Sequence, residues 1–307
     1  MQIAVEQAKV LAEVRVLELI MIGKDGGPRI LPMAGAWLPD EGHILITTPL
    51  AYSQKAFDLR RDGRVALLFS DFTGSGLDGS PSLLVQGTAT APDRVVTPAE
   101  IPAYWAELFR RNPGLADETR DEAVRATMSW YYLRLPLYVS PDRLITQVRL
   151  PVGGRHEPYP DESASLPGRV SDAVDRYPSV ILASRDLEGH PTGTRATITR
   201  STDGDELQLQ TPDAFAGTNG KAALLWHRHD GHAGEMISLQ VTGDLTGAGR
   251  EWSFRPGRIP GALTGGHDTG SWQDWIEDGR ARTQQYLDRR GFSPDPIDWR
   301  ALADLAR

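Results

Sequence analysis

Positions 47–61 read TTPLAYSQKAFDLRR, and Thr48, Ser53 and Lys55 fall where a strand gives way to a short helical pattern. Hydroxyls, a lysine and the free N–H groups of a helix start together make an anion site, most naturally for a phosphate. Lysine supplies a point charge and the hydroxyls supply directed hydrogen bonds. Arg60 and Arg61, two turns further on, read as an exposed helix face. A second chemical cluster is His227-Arg228-His229-Asp230-Gly231-His232. His227 and His229 share a face if their strand continues, and His232 could fold back, which would make a metal site. Asp230-Gly231 marks a hairpin tip, where polar side chains face water for no special reason, and no metal is assigned. Gly74 to Gly79 matches G-x-G-x-x-G but leads into a strand, so no helix N-terminus is there to receive a pyrophosphate.

The elements that must position the first cluster lie in 29–71. Two strands separated by a turn at Asp40-Glu41-Gly42 lead into Thr47-Thr48-Pro49, a helix follows over 53–61, and 64–71 reads as the next strand. Ile44 and Ile46 alternate with His43, Leu45 and Thr47, and the β-branched content supports a strand. Before this stretch the pattern predicts a helix over 2–15 and a strand over 17–22, broken at Lys24-Asp25-Gly26-Gly27-Pro28. After it, 83–89 reads as a strand. Positions 98–111 read as an amphipathic helix, with Ile101, Tyr104, Trp105, Leu108 and Phe109 on one stripe. A second helix is expected over 116–127, and strands over 130–137 and 143–148. The segment 151–167 is rich in Pro, Gly, Ser and acidic residues and reads as a linker or crossing segment.

The chain also echoes itself. Thr211-Pro212 repeats Thr48-Pro49 at an offset of 163, and at that offset 180–186 falls on 17–23, with Gly189 and Pro191 on Gly26 and Pro28. The run Ala222-Ala223-Leu224-Leu225-Trp226 mirrors Val65-Ala66-Leu67-Leu68-Phe69 at 157, and Val241-Thr242-Gly243 mirrors Val85-Gln86-Gly87 at 156. Landmarks in one order at nearly one offset favour duplication over chance. The offset falls by six between Thr-Pro and the following strand. The second copy therefore has no room at 213–221 for the helix that carries Ser53 and Lys55. An acidic-aromatic tail with helices near 271–290 and 298–306 would play the part of 98–127.

Strand, turn, strand, Thr-Pro, Ser-x-Lys, Leu-Arg-Arg-Asp-x-Arg-Val and then LLVQGTA at 83–89 resemble the pyridoxamine 5′-phosphate oxidase-like, flavin-binding split β-barrel superfamily. Asp58 stands where many relatives carry Asn, and Gly63 where Pro is common. The resemblance implies a mainly β (α+β) fold. Applied to both copies, it implies two split β-barrels of the FMN-binding type, 1–150 and 151–307, forming an intramolecular pseudo-dimer with accessory helices. It further implies a flavin-dependent oxidoreductase that binds FMN between its barrels and acts on a small molecule. F420-dependent reduction is the first alternative, and a non-catalytic flavin- or haem-binding protein the second. By resemblance the phosphate falls to Thr48, Ser53, Gln54 and Lys55, with Arg29 a further candidate. Arg195, Thr197 and Trp226 of the second copy are weaker candidates to face the ring, against a surface strand face and a core tryptophan.

Composition bounds these readings. The chain has 307 residues, enough for two ordinary domains, with 40% hydrophobic and 24% charged residues. A net charge of −8 argues against general nucleic-acid or anionic-membrane binding. The absence of cysteine rules out disulfides, thiolate metal sites and cysteine nucleophiles. Glu6, Glu13 and Glu18 interrupt the N-terminal apolar run, unlike a signal peptide, and the expectation is a cytoplasmic protein with no membrane partner.

Overall fold

A computed structural model describes residues 3–155, 158, 160–200, 206–231, 236–260 and 272–306. In chain order the elements are α1 (Val5–Glu13), β1 (Leu17–Ile22), β2 (Pro28–Met33), β3 (Gly35–Leu38) and β4 (His43–Pro49). A 3₁₀ turn at Leu50–Tyr52 then leads into α2 (Gln54–Arg61). Next come β5 (Arg64–Phe69), β6 (Ser82–Thr90), α3 (Pro102–Arg111), α4 (Pro113–Glu118), α5 (Glu122–Tyr132) and β7 (Arg134–Gln147). The later half holds α6 (Leu166–Arg176), β8 (Val180–Arg185), β9 (Pro191–Arg200), β10 (Leu207–Gln210), β11 (Gly220–Arg228), β12 (Ile237–Ala248) and β13 (Glu251–Arg258). It ends on α7 (Trp272–Arg290) and α8 (Trp299–Asp304). None of the described helices is long and apolar enough to cross a membrane.

The chain is mainly β, with two barrel-type sheets and accessory helices. The first sheet runs β2-β1-β5-β6-β7-β4-β3, and the second closes as β10-β13-β12-β11-β8-β9. The two orders are the same cycle. In the second, β9 pairs with both β8 and β10 and closes the barrel. In the first, the equivalent stretch is broken at Ala34 into β2, paired with β1, and β3, paired with β4. Registers agree as well. Glu18↔Leu68 and Ile20↔Ala66 in one sheet match Ile181↔Leu225 and Ala183↔Ala223 in the other. Leu17↔Met33 likewise matches Val180↔Ala196.

Contacts divide the chain into two compact units. Unit 1 is Met1–Met33, Asp62–Thr88 and Pro141–Pro260; unit 2 is Ala34–Arg61, Ala89–Ser140 and Gly261–Arg307. In unit 1 the closed barrel has its own core, including Val180, Leu182, Leu224, Trp226, Val241, Trp252 and Phe254. The alternate residues of the same strands, Ile181, Ala183, Ala223 and Leu225, meet Ile20, Ile30, Ala66, Leu68 and Leu84 in a second cluster. Strands β1, β8 and β11 are thus buried on both faces, which is why they read as unbroken apolar runs rather than alternating ones. The packing is reciprocal: β5 lies on β9 as β11 lies on β2, and β1 lies on β9 as β8 lies on β2.

Unit 2 is helix-rich. Tyr104, Trp105, Leu108 and Phe109 of α3, Met128, Trp130 and Tyr132 of α5, Ile276 of α7 and Leu302 of α8 close over Ala36, Leu38 and Leu45. The stripe predicted for 98–111 is the buried stripe of α3, entered through a 3₁₀ turn at Pro98–Glu100. Positions 130–132, expected as strand, instead finish α5; their aromatic side chains pack on α3 and α7, and tertiary packing overrides the aromatic strand preference. The expected helix over 116–127 is split between α4 and α5. Positions 211–219 carry no helix, so the second barrel has no counterpart of α2.

Candidate functional site

In unit 2, Pro49 has no N–H and ends the β4 ladder, and the chain turns sharply through Leu50–Tyr52. Thr48 is fully buried, and its hydroxyl donates to the Tyr52 carbonyl at 3.0 Å, which closes the turn. Ser53 sits at the end of that turn in helical conformation, and its carbonyl accepts from the N–H groups of Ala56 and Phe57. Gln54 is exposed, and its amide donates to Asp58 at 3.2 Å.

Lys55 points inward. Its ammonium is buried, donates to the Tyr52 carbonyl at 3.4 Å and lies 5.8 Å from the Tyr52 ring. Burial, with the positive charge of Arg134 adding to it, pushes the amine down to about 8.

Arg134 opens β7 opposite Pro49. It is buried, with its guanidinium 4.3 Å from the Tyr131 ring and 5.6 Å from Trp105. Its Nε and Nη1 donate to no group among the described residues. Two cations therefore share a buried region, and neither has an ion pair to a carboxylate among the described residues. Buried charge without a counter-charge is costly, and an anionic group is the chemistry that such a pair fits. Tyr104 lies close by, with its phenol held up by burial, and accepts the Thr47 hydroxyl at 3.1 Å. Arg60 instead straps α2 to the carbonyls of Ala91 and Pro92 and to Asp93, and Arg61 pairs with Asp58 at 2.7 Å. Both are structural.

The remaining candidates lie in unit 1. Arg29 pairs with Asp25 at 3.5 Å. Trp226 is the core tryptophan of the closed barrel and offers no face to a ring. Thr197 is exposed, and its hydroxyl donates to the Gln210 carbonyl at 3.3 Å. Arg195 is buried and committed to protein partners: Nε donates to Ser70 Oγ at 2.8 Å, Nη1 to Ser179 Oγ at 3.2 Å and Nη2 to Glu18 Oε1 at 3.4 Å.

The histidine cluster does not face water. His227 and His229 are buried with stacked rings 6.2 Å apart. His227 Nε2 donates to Glu18 Oε1 at 2.8 Å. His229 accepts the Gly231 N–H at Nδ1, leaving Nε2 facing Asp71 Oδ2 at 3.3 Å. Burial raises the Asp71 carboxyl, but the bond to His229, the charges of His229 and His227 and the Thr73 hydroxyl outweigh it and hold the group below the usual range. The described residues contain no cluster able to hold a metal. His232 lies outside the described residues.

Sequence reasoning missed Arg134 and the buried role of Glu18. The signal for the first was a cation directly after Trp130-Tyr131-Tyr132; the signal for the second was a lone acid inside the apolar run of β1.

No protein-family model matches the chain, and no curated protein matches it. Solved structures to which it is similar include a FAD-binding protein from Mesorhizobium loti, at 20% identity over 47% of this chain and 90% of that one, with a TM-score of 0.32. Another is an F420 reductase, at 19% identity over 44% of this chain and 93% of that one, with a TM-score of 0.32. A third is the haem storage protein HutZ from Vibrio cholerae, at 13% identity over 48% and 98%, with a TM-score of 0.34.

Proposed function

We propose that this chain is a tandem duplicate of a split barrel that binds a phosphorylated flavin-type cofactor, FMN in first place, and serves as an oxidoreductase on a small molecule. One observation carries the cofactor reading: Lys55 and Arg134 are buried together, and no carboxylate among the described residues pairs with either. A phosphate would supply the missing negative charge, and charge-assisted hydrogen bonds to it are the strong kind. Thr48 and Ser53 fix the turn that aims Lys55, and Tyr131 and Trp105 hold the Arg134 guanidinium flat. When bound, the flavin supplies the hydride chemistry; this chain's residues bind its tail and orient it. The matching strand order, registers and reciprocal packing support the duplication. Only the first copy has α2, so the reading assigns one phosphate site per chain.

The test is a titration of the protein with FMN, riboflavin and F420, read by flavin fluorescence. FMN should bind more tightly than riboflavin, which lacks the phosphate. Lys55→Ala and Arg134→Leu should each reduce that preference by about tenfold or more, the value of one charge-assisted hydrogen bond. Equal affinity for FMN and riboflavin in the wild type removes the phosphate assignment, and tight F420 binding without FMN binding moves the reading to the deazaflavin.

A further inference from the structure

We propose that the buried charges between the two sheets of unit 1 are a pairing code, by which the first sheet accepts the second barrel of its own chain and rejects a second copy of itself. The inference rests on the duplication above and not on the cofactor. The apolar part of this contact is nearly the same on both sides: Ile20, Ala66 and Leu68 correspond to Ala183, Ala223 and Leu225. Such a surface gives affinity without discrimination, because either copy could pair with itself. The charges differ. Glu18 corresponds by register to Ile181 and Arg195 to Pro32; at the sequence offset of 157, Ser70 falls on His227, Asp71 on Arg228 and Phe72 on His229.

In the observed pairing, Glu18 of the first copy meets Arg195 and His227 of the second, and Asp71 of the first meets His229 of the second. Glu18 and Asp71 are completely buried, at 0% exposure. If two first copies met by the same twofold contact, Glu18 would face Pro32 and Ser70, and Asp71 would face Phe72. Both carboxylates would be buried with no cation opposite. If two second copies met, Arg195 would face Ile181 and His227 with no acid opposite, and His229 would face Arg228. Both like pairings leave a buried carboxylate or guanidinium with no complementary group opposite, whereas the unlike pairing sets each against one. Specificity here comes from what the wrong partner leaves unpaired.

A site for a sequence-specific protease placed in 151–165 allows the folded full-length chain to be nicked and its halves exchanged by brief unfolding and refolding, without cofactor. First halves of wild type and of isotope-labelled Glu18→Gln, separated from the nicked chains by unfolding, are mixed in equal amounts and in excess over a limiting amount of second half, and the pairs are counted by native mass spectrometry. Second halves carrying Arg195 should recover wild-type first halves over Glu18→Gln halves by about tenfold or more. In the same competition with Arg195→Met second halves the ratio should fall several-fold, since only His227 is then left opposite Glu18. A ratio near one in the first mixture overturns the proposal. So does an unchanged preference in the second, which would mean that Glu18→Gln only weakens its own half. If nicked halves do not re-pair, a double-mutant cycle on the intact chain with Glu18→Gln and Arg195→Met decides by urea unfolding: additive losses overturn the code, and a double variant that regains most of the loss supports it. Neither outcome bears on FMN binding, so the code and the cofactor reading fail separately.

Discussion

Replacing Lys55 by methionine should make the protein more stable while weakening the proposed hold on a phosphate. The fold opposes the charge on Lys55: burial and the Arg134 charge lower it from 10.5 to about 8. That difference corresponds to a destabilisation of about 3 kcal/mol while the amine is charged in both states. The folded value is the lower one, so between about pH 8 and 10.5 the unfolded chain binds more protons, and stability rises with pH through that window. Below it the whole penalty is present. Methionine fills the same volume without charge and loses only the long 3.4 Å bond to the Tyr52 carbonyl. Urea unfolding at pH 7 should therefore show Lys55→Met more stable than wild type by about 2 kcal/mol, the lost bond offsetting up to about 1 kcal/mol of the gain. The advantage should shrink to near zero by about pH 10.5, the other titrating groups cancelling in the comparison. FMN at one fixed concentration should raise the wild-type midpoint by more than the variant's. A variant less stable than wild type at pH 7, or a difference that does not change with pH, refutes the reasoning.

Two further outcomes follow from side-chain geometry. The Asp71 carboxyl is held below its usual range, so its contribution is present above the unfolded carboxylate value and is lost as pH falls through the folded one. His229→Gln removes the main opposing charge and should flatten the acid limb of the stability–pH curve below about pH 4, read from urea midpoints. Gly279 lies under Trp130, whose ring atoms would stand 2.2 to 2.6 Å from an added Cβ. Gly279→Ala should therefore lower stability by about 1 to 3 kcal/mol despite alanine's better helix propensity, and calorimetry checks the sign.

Much of the fold was legible because its signals are local. Strand β1 fell where its apolar run placed it, and α2 within one residue of expectation, because Pro49 and the Gly63 break bound it on both sides. The expectation of no helix at 213–221 also matches: 213–219 is irregular and 220–221 begin β11. What failed was any judgement that needed a partner outside the local chain. Asp230-Gly231 does end a strand, yet His227 and His229 next to it are buried, because their carboxylates come from β1 and the end of β5, far off in sequence. Trp226 is a core residue because its strand is buried on both faces, and period alone cannot tell which face holds a ring. Arg134 joined the candidate site only through the β7–β4 pairing, a contact that no local spacing encodes.

On the proposed duplication, linking two copies in one chain changes what each copy must do. A self-pairing barrel has to place every residue so that it works in both halves of the contact at once, and a buried carboxylate there would need a cation in its own sequence. Once the partner is a different stretch of the same chain, that constraint is lifted. Glu18 can then be an acid while Ile181 is apolar, and Arg195 a base while Pro32 is not. On the proposed reading, the same freedom accounts for a phosphate site in only one of the two barrels. Lys55 carries a charge that weakens the folded state, and one such group per chain costs about half as much as two. The second copy, without α2, carries none of that cost and contributes a closed, well-packed barrel instead. On this reasoning, grafting an α2-like helix into 211–219 should lower the stability of the apo chain and add a second FMN equivalent in a binding titration. If the graft binds a second equivalent with no loss of apo stability, the division of labour between the copies has another cause.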